Sequence, residues 1–324
     1  MGVTAFIVEE QIEQLISRGL KIIDEAKAKE TLLDIGYYRL GFYWYYFQDS
    51  KSHKFMYDIS LDDIVKLYYF DFDIKHLLSK YIYRIEVHFR TQIIYYVSNH
   101  YKNNNQWYID PAIINKGILK EFNNIYYTLK TKNNILSKHH TKYPNKSYAP
   151  AWKVFEFLTF GQIFKFYRNL KNEDLKIKIA NVYGFRDFEM LENFFLAIIN
   201  IRNVCSHHAV LYDYNQPTKI WRIPNKYYRG TSRNRNNLMA SLRLILFILS
   251  KISINRSKEL EQKLKDIFID EKISKDMRDN IPVFEIDNNI IWLPNIRRAN
   301  KYLVDNQDDI IKIRVLSKEI LWRD

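Results

Sequence analysis

The fold of this chain is set by residues Leu191 to Tyr214, which read LENFFLAIINIRNVCSHHAVLYDY. The first half is apolar at helical spacing, which predicts a helix with a wide apolar face buried in a helical core. This face consists of Leu191, Phe194, Phe195, Ile198, Ile199 and Ile201. The character changes at Arg202, directly after the most apolar run. A charged side chain so close to a core-facing stripe requires a partner or a chemical task.

The polar end of this stretch contains Arg202, Asn203, Ser206, His207 and His208. Successive residues of an ideal helix are rotated by ~100°, so Asn203 and His207 share a face, whereas Arg202 and His207 lie about 140° apart. They can meet over one ligand at a frayed helix end, or together with a second copy of the motif. An imidazole moves protons near neutral pH, and a guanidinium suits a phosphate. Asn203 would hold the imidazole or a phosphate oxygen.

Two other interpretations of these residues stay open. In the first, Arg202 pairs with a carboxylate such as Glu192 or Asp213, and His207 caps the negative end of the helix. In the second, the histidines bind zinc. Cys205 is the only thiol of the chain, neighbouring histidines diverge on a helix, and there is no Cys-x-x-Cys or His-Glu-x-x-His pattern. We therefore expect no metal and no cofactor.

Composition indicates a helical protein with a polyanionic partner. The 324 residues include only 8 Gly and 7 Pro, and so few helix breakers favour long helices and an all-α fold. The formal charge is +13 and aromatic residues make up 16% of the chain. Basic and aromatic side chains together suit single-stranded RNA. Lysine that serves only solubility is the alternative explanation of the charge.

Cysteine usage and hydropathy indicate a cytoplasmic protein without membrane contact. A single Cys excludes an intramolecular disulfide and fits a reducing compartment. The start MGVTAFIVEEQIEQ is acidic where a secretion signal would be basic. The most apolar segment, 238–254, contains Arg243 and Lys251, so we interpret it as a core helix rather than a membrane span.

In the N-terminal part we predict one helix over 5–18 and a second helix that begins after its N-cap residue Asp24 and runs to about Asp34. The following run, 35–47, reads IGYYRLGFYWYYF. Its rings either pack in the core or stack on unpaired bases, and Arg39 is its best candidate for a phosphate contact.

The capping sequence Ser60-Leu61-Asp62-Asp63 starts a helical stretch that reaches about Tyr101, as one helix or as two with a bend. Within it, Glu86 and Arg90 are four residues apart and can form an ion pair on the helix surface. Alternatively, one of the two orients Arg202.

Further along, we predict a helix over 118–136, a loop over 137–150 that is either RNA-contacting or merely solvated, and one continuous helix from Pro150 to about Leu170 with Gly161 inside it. Further helices are predicted over 172–182, 187–208, 238–254 and 258–269.

The segment from Trp221 to Asn237, WRIPNKYYRGTSRNRNN, mixes basic and aromatic residues and contains no acidic residue. It is either an RNA-binding loop or a solvated connection. Its basic residues are Arg222, Lys226, Arg229, Arg233 and Arg235.

The segment Arg202-Asn203-x-x-x-His207 resembles the Arg-x(4–6)-His signature of HEPN-domain ribonucleases. The longer run RNVCSHHAVLYDY resembles the Abi-like (AbiD/AbiF type) abortive-infection proteins, in which a similar segment closes a helix. Three separate segments resemble the same family: IGYYRL at 35–40, RIEVHFRT at 84–91, and the Pro-x-Trp…Glu…Phe-Gly pattern at 150–161.

The resemblance implies a HEPN-like helical bundle over 55–255, with an N-terminal helical and aromatic module over 1–54 and a C-terminal helix and arm over 256–324. It also implies a homodimer that joins two Arg/His motifs. The implied catalytic residues are Arg202, Asn203 and His207, with His208, Glu86 and Arg90 in support.

As a function, the resemblance implies a metal-independent endoribonuclease of a toxin-like, anti-phage abortive-infection system. Cleavage would proceed by attack of the RNA 2′-hydroxyl, and a structured noncoding RNA would be a partner or antitoxin. The alternative is a non-catalytic RNA-binding protein of the same fold that acts with a structured noncoding RNA.

Overall fold

The computed structural model describes residues 5–56, 58–207, 209–212, 214–223 and 235–269, together with the backbone of 284–286 and 289–291. The described residues are overwhelmingly helical, which confirms the all-α prediction. The helices are α1 (Val8–Ser17), α2 (Glu25–Asp34), α3 (Tyr37–Trp44), α4 (Leu61–His100), α5 (Lys116–Lys132), α6 (Asn134–Lys142), α7 (Ala151–Val154), α8 (Phe160–Arg168), α9 (Glu173–Val182), α10 (Phe188–Ser206), α11 (Leu238–Ile252) and α12 (Ile254–Ile269). Short 3-10 turns cover Tyr45–Phe47, Trp107–Ile109 and Phe155–Phe157, and the strands β1 (Phe284–Ile286) and β2 (Asn289–Ile291) pair antiparallel.

The bundle is organised around α4, a single helix of 40 residues that is about 60 Å long. Its start is fixed by the predicted capping box, in which Asp63 N–H donates to Ser60 Oγ over 3.2 Å and Ser60 N–H donates to Asp63 Oδ2 over 3.1 Å. No Gly or Pro interrupts it. Helices α3, α8, α9, α10, α11 and α12 pack along it.

Helix α10 buries the apolar face that its sequence predicted. All six residues of this predicted face are buried. The Phe195 ring lies 4.4 Å from the Phe89 ring of α4 and 5.1 Å from Tyr183 at the end of α9, measured between centroids. These ring contacts fix α10 against α4, and the polar end of α10 is positioned by this packing.

Two local predictions were wrong. The helix predicted from Pro150 to Leu170 is broken, because Thr159 caps α8 with its Oγ1 3.4 Å from Gln162 N, while Gln162 Oε1 accepts from Thr159 N–H over 2.8 Å. This capping box starts a new helix. The predicted loop over 137–150 is helical as far as Lys142, because the Asn133 side chain caps α6.

Helix α1 packs on α2, and helix α12 packs on α11 and α4. Asp24 caps α2 as predicted, with Oδ1 3.1 Å from Lys27 N. Helix α12 lies on α11, with Leu260 and Leu264 buried and Ser257 Oγ donating to the Leu246 carbonyl over 2.9 Å. The module boundaries at 54/55 and 255/256 remain predictions. None of the described helices combines the length and apolarity that a membrane span requires.

Candidate functional site

The candidate site lies where α10 ends. Asp187 caps its start, with Oδ1 accepting from Glu189 N–H over 2.7 Å, and the helix ends at Ser206. His207 is the C-cap residue, and its N–H donates to the Asn203 carbonyl over 2.9 Å. The His207 side chain is exposed. The buried helix therefore presents an imidazole to solvent at its last turn, close to where the sequence predicted the helix to end.

Arg202 and Asn203 lie in that last turn. Arg202 is half-buried and Asn203 is exposed, and Arg202 Nη1 donates to Asn203 Oδ1 over a long 3.4 Å. Both side chains thus lie one turn before His207. The structure brings these three predicted residues to one helix end. His208, the fourth, lies outside the described residues.

Glu86 and Arg90 form the predicted ion pair on α4, and the pair is buried rather than on the surface. Arg90 Nη2 lies 2.9 Å from Glu86 Oε1 and 3.3 Å from the Leu158 carbonyl oxygen. Burial raises the pKa of the Glu86 carboxyl, while the positive charges of Arg90 and Arg202 oppose that rise. Glu86 is therefore electrostatically coupled to both arginines, which is consistent with either predicted role of the pair.

Another buried ion pair on α4 was missed by the sequence analysis. Lys75 Nζ lies 2.8 Å from Asp71 Oδ2, and both side chains are almost fully buried. Asp71 Oδ1 accepts the backbone N–H of Leu211 over 2.9 Å, and Lys75 Nζ donates to the Ala209 carbonyl over 3.3 Å. Tyr43 O–H donates to Asp71 Oδ2 over 2.8 Å. The pair therefore ties the segment 209–212, here called the strap, to α4.

A sequence signal for this pair existed. Asp71 and Lys75 continue the spacing of the buried stripe that contains Leu67, Ile74 and Leu78. Two opposite charges four residues apart inside an apolar stripe indicate a buried ion pair, since an unpaired charge at such a position is costly.

Cys205 lies beside the same pair. Burial raises the pKa of its thiol to about 12, and the charge of Lys75 and a hydrogen bond with Ser79 oppose this effect. A thiol with so high a pKa is protonated at neutral pH and is a poor nucleophile or metal ligand. No group of three or more His, Cys, Asp or Glu side chains capable of holding a metal occurs among the described residues.

Buried Gln216 connects the chain after the strap to two helices. Its Nε2 donates to the Ala197 carbonyl of α10 over 2.9 Å and to Ser241 Oγ of α11 over 3.1 Å. Its Oε1 accepts from Asn200 Nδ2 over 3.2 Å. This residue, which the sequence analysis did not single out, fixes the chain that leads to the basic segment.

Little of the basic segment is described. Arg222 is exposed and Arg235 is half-buried, and the Arg235 carbonyl accepts from Ile220 N–H over 3.1 Å. The other predicted RNA-binding residues of this segment, Lys226, Arg229 and Arg233, lie outside the described residues.

Arg39 is placed on the aromatic run of α3, as the sequence indicated. The inner face of α3 is buried with Leu40, Tyr43 and Trp44, so part of this run serves packing. The outer face exposes Tyr38 and Phe42, and the Arg39 guanidinium lies about 6 Å from the Phe42, Tyr43 and Tyr68 ring centres.

Two family models match different parts of the chain. One, described as Abi-like protein, matches residues 30–213, a range that contains α3 to α10, the Asp71–Lys75 pair and the polar end of α10. The other, described as TilS substrate C-terminal domain, matches residues 255–315.

Curated relatives resemble only a short segment. The chain is 38% identical over 58 residues to the tRNA(Ile)-lysidine synthase of Caldanaerobacter subterraneus subsp. tengcongensis, which is 18% of this chain and 12% of that protein. It is 40% identical over 55 residues to the tRNA(Ile)-lysidine synthase of Clostridium tetani, which is 17% of this chain and 12% of that protein. The alignments thus cover about an eighth of these relatives. No solved structure matches the chain.

Proposed function

This chain belongs to the Abi-like family, which suggests a role in abortive-infection defence, and we propose that it acts there as a metal-independent endoribonuclease of the HEPN type. The observation that supports the proposal is the exposed His207 at the C-cap of a buried helix, with Arg202 and Asn203 one turn before it. The turns just before them are mostly apolar and buried, so these polar side chains are concentrated where a substrate can reach them.

The proposed reaction is an internal transesterification of RNA. The imidazole of His207 removes the proton of a 2′-hydroxyl, and the oxygen attacks the adjacent phosphorus in line. The bond from phosphorus to the 5′-oxygen breaks, and this oxygen takes up a proton from an imidazolium. The products are a 2′,3′-cyclic phosphate and a 5′-hydroxyl. General acid–base catalysis of this kind contributes about 10²–10⁴-fold to the rate.

Arg202 neutralises the charge that develops on the phosphate oxygens in the transition state. A guanidinium serves this role well because it stays protonated and donates several hydrogen bonds in a planar arrangement. Asn203 Oδ1 restrains it at 3.4 Å, and the Glu86 carboxylate attracts it from α4. Glu86, with Arg90 as its buried partner, is therefore a positioning residue in this proposal.

Asp71 and Lys75 are also positioning residues. They bind the strap, and the strap begins two residues after His207. The C-cap residue is thus held on one side by α10 and on the other by α4. A catalytic group must be held to within a fraction of an ångström of its productive position, so this restraint matters for the rate.

We propose a homodimer in which two motifs face each other. Arg202 and His207 are five residues apart and diverge on a regular helix. A second copy of the motif across the dimer interface provides the second group, so that the arginine of one protomer and the histidine of its partner act on one phosphate.

The C-terminal similarity suggests which RNA is engaged. The family model that matches residues 255–315 is described as TilS substrate C-terminal domain, and the similar curated proteins are tRNA(Ile)-lysidine synthases. We therefore propose tRNA as the RNA class and the cytoplasm as its place of action. Residues 255–315 contain 12 basic and 12 acidic residues, so the net charge of +13 comes from the rest of the chain. The C-terminal segment would select the RNA, and the remainder would supply phosphate affinity.

The experiment is an incubation of the purified protein with total cellular RNA and with tRNA, in the presence of EDTA, followed by mapping of the product ends. The proposal requires new 5′-hydroxyl and 2′,3′-cyclic phosphate ends that His207→Ala does not produce. Tight binding without cleavage would instead support the second candidate, a non-catalytic RNA-binding protein that acts with a structured noncoding RNA. The similarity of residues 255–315 to the TilS substrate C-terminal domain supports this second candidate as well as the first.

A further inference from the structure

An exposed aromatic surface is formed where α3 lies on α4. It consists of Tyr38, Arg39 and Phe42 of α3 and Tyr68, Tyr69, Phe72 and His76 of α4. On each helix the exposed members are three, four or seven residues apart and therefore share a face. We call these seven residues the aromatic surface.

The surface is continuous across the two helices. The Tyr38 and Phe42 ring centres are 5.3 Å apart, and the Arg39 guanidinium lies 6.0 Å from Phe42 and 5.9 Å from Tyr68. On α4, Phe72 lies 6.4 Å from Tyr68. The cation thus bridges the rings of one helix to those of the other.

The bundle does not need these exposed rings for its own packing. Tyr38 is 79% exposed, Tyr69 46% and Phe72 38%, whereas the opposite face of α3 buries Leu40 and Tyr43. A contiguous exposed apolar patch, unlike single scattered residues, marks a surface that binds another molecule.

The surface adjoins the candidate site through the strap. Lys75, whose Nζ contacts the Ala209 carbonyl over 3.3 Å, immediately precedes His76 on α4. On the other side, the Tyr212 ring of the strap lies 5.7 Å from the ring of Tyr46, the second residue of the 3-10 turn that follows α3. Ala209 is two residues from His207, so their Cα atoms are at most about 7 Å apart. The strap therefore contacts residues adjacent to the aromatic surface on both sides and begins within about 7 Å of the His207 Cα.

We infer that the aromatic surface binds unpaired RNA nucleotides next to the phosphate that reacts at His207, an inference that rests on the proposed function. Bases stack on tyrosine and phenylalanine rings and on guanidinium planes, and this stacking tolerates any base sequence. A phosphate between stacked bases needs a cation, and Arg39 is the cation in the middle of the rings. The chain's net charge of +13 favours a nucleic acid over a neutral apolar partner.

The test compares two double variants with a matched control. Tyr38→Ala with Phe42→Ala removes exposed rings of α3, and Tyr69→Ala with Phe72→Ala removes those of α4. The control is Tyr127→Ala with Tyr95→Ala, because these side chains are 70% and 60% exposed and lie outside the surface. Binding of a fluorescein-labelled single-stranded RNA and of a perfect RNA duplex is followed by anisotropy, and thermal unfolding checks that each variant is folded.

We expect each test variant to bind the single-stranded RNA roughly tenfold or more weakly, since alanine substitution of a stacking residue costs about that much. Duplex binding and the control should be unchanged. Unchanged single-strand affinity in both folded variants would overturn the inference. So would conversion of a dimer to monomers in light scattering, because the surface would then be a protein interface.

These outcomes are separable from failure of the proposed nuclease. If RNA is never cleaved but the test variants lose single-strand affinity, the proposed RNA-binding role of the aromatic surface is supported and the proposed nuclease activity is not. If RNA is cleaved and the variants bind normally, the nuclease activity is supported and the RNA-binding role of the aromatic surface is not.

Discussion

The carboxylate of Asp71 accepts the backbone N–H of Leu211 over 2.9 Å, although the two residues are 140 positions apart in the chain. The same carboxylate is paired with Lys75 and accepts from the Tyr43 hydroxyl. One buried carboxylate therefore joins α3, α4 and the strap. The polar end of α10 is held in place because the chain immediately after it is bound to α4.

The first prediction concerns this carboxylate. Lys75→Met leaves Asp71 without its cation in a buried position, which typically costs about 3–5 kcal/mol of stability. The double variant Asp71→Asn with Lys75→Met should be less destabilised than Lys75→Met alone, because the amide that replaces the carboxylate is neutral and still accepts from Leu211 N–H. Urea unfolding measures the stability of Lys75→Met, of Asp71→Asn and of the double variant, which completes a double-mutant cycle. Strictly additive costs would show that the two side chains do not interact.

The effect on catalysis has its own control. If the pair positions His207, the double variant should lower kcat while KM changes little, because RNA binding uses other residues. Lys176→Met removes another buried lysine, paired with Glu192 at 2.9 Å near the start of α10. That variant should lose stability without the selective loss of kcat. Equal kcat in the two variants would leave the pair with a structural role alone.

The second prediction concerns the chemistry. His207→Ala and Arg202→Ala should each reduce RNA cleavage by about 10²–10⁴-fold, since a proton-transfer group and a charge-stabilising group are lost. His208→Ala should reduce it less, because residues four apart, such as Asn203 and His207, share a face of a regular helix. Circular dichroism must show folded variants. Cleavage by His207→Ala at the wild-type rate would show that this motif does not catalyse the reaction.

The third prediction concerns assembly. Light scattering should show a dimer, and a mixture of inactive Arg202→Ala and His207→Ala proteins should recover part of the activity. Recovery is expected because a mixed dimer contains one site with both an intact arginine and an intact histidine. A strict monomer that cleaves RNA would contradict the shared site.

The fourth prediction concerns the basic segment. Replacing Arg229, Arg233 and Arg235 together with alanine should weaken RNA binding and flatten its salt dependence, because fewer phosphate contacts release fewer counterions. Thermal unfolding checks that the triple variant remains folded. The exposed lysines of α5, Lys116, Lys120 and Lys132, provide a control triple variant. Equal salt dependence of RNA binding in the two triple variants would show that the basic segment contributes no more to RNA binding than the α5 lysines do.

The fifth prediction concerns pH. His140 Nδ1 lies 3.0 Å from the Lys146 carbonyl oxygen and Nε2 lies 2.8 Å from the Tyr126 hydroxyl, which suits a neutral imidazole that donates at Nδ1 and accepts at Nε2. Burial, with the nearby charge of Lys130, lowers its pKa from the ordinary value of 6.5. The unfolded chain therefore binds the proton more readily, and stability is lost as pH falls below that value.

Unfolding midpoints measured between about pH 8 and about pH 5, on either side of the ordinary histidine pKa, test this prediction. The midpoint should fall with pH in the wild type and fall less steeply in His140→Gln, whose amide retains both a donor and an acceptor. His88 and His139, whose pKa values are also lowered by burial, account for a remaining slope. An identical slope in His140→Gln would show that His140 does not titrate in this way.

The local features of this fold can be predicted from residues that are close together in the sequence. The helix starts at Asp24 and Ser60 follow from side-chain caps, and the buried face of α10 follows from apolar spacing, because caps and periodicity depend on residues within a few positions of one another. The cluster of Arg202, Asn203 and His207 at the end of α10 is local in the same sense. Even the break at Thr159, which was missed, is encoded by a nearby glutamine.

Contacts between groups far apart in the sequence could not be predicted in this way, because they depend on how the helices pack. The contact of Asp71 with Leu211 depends on how α10 packs across α4, which is fixed by rings such as Phe89 and Phe195 rather than by residues near Asp71. The continuity of the aromatic surface likewise depends on α3 lying on α4, so that Arg39 reaches Tyr68. Such contacts join residues far apart in sequence, and their energy comes from the packing of whole helices.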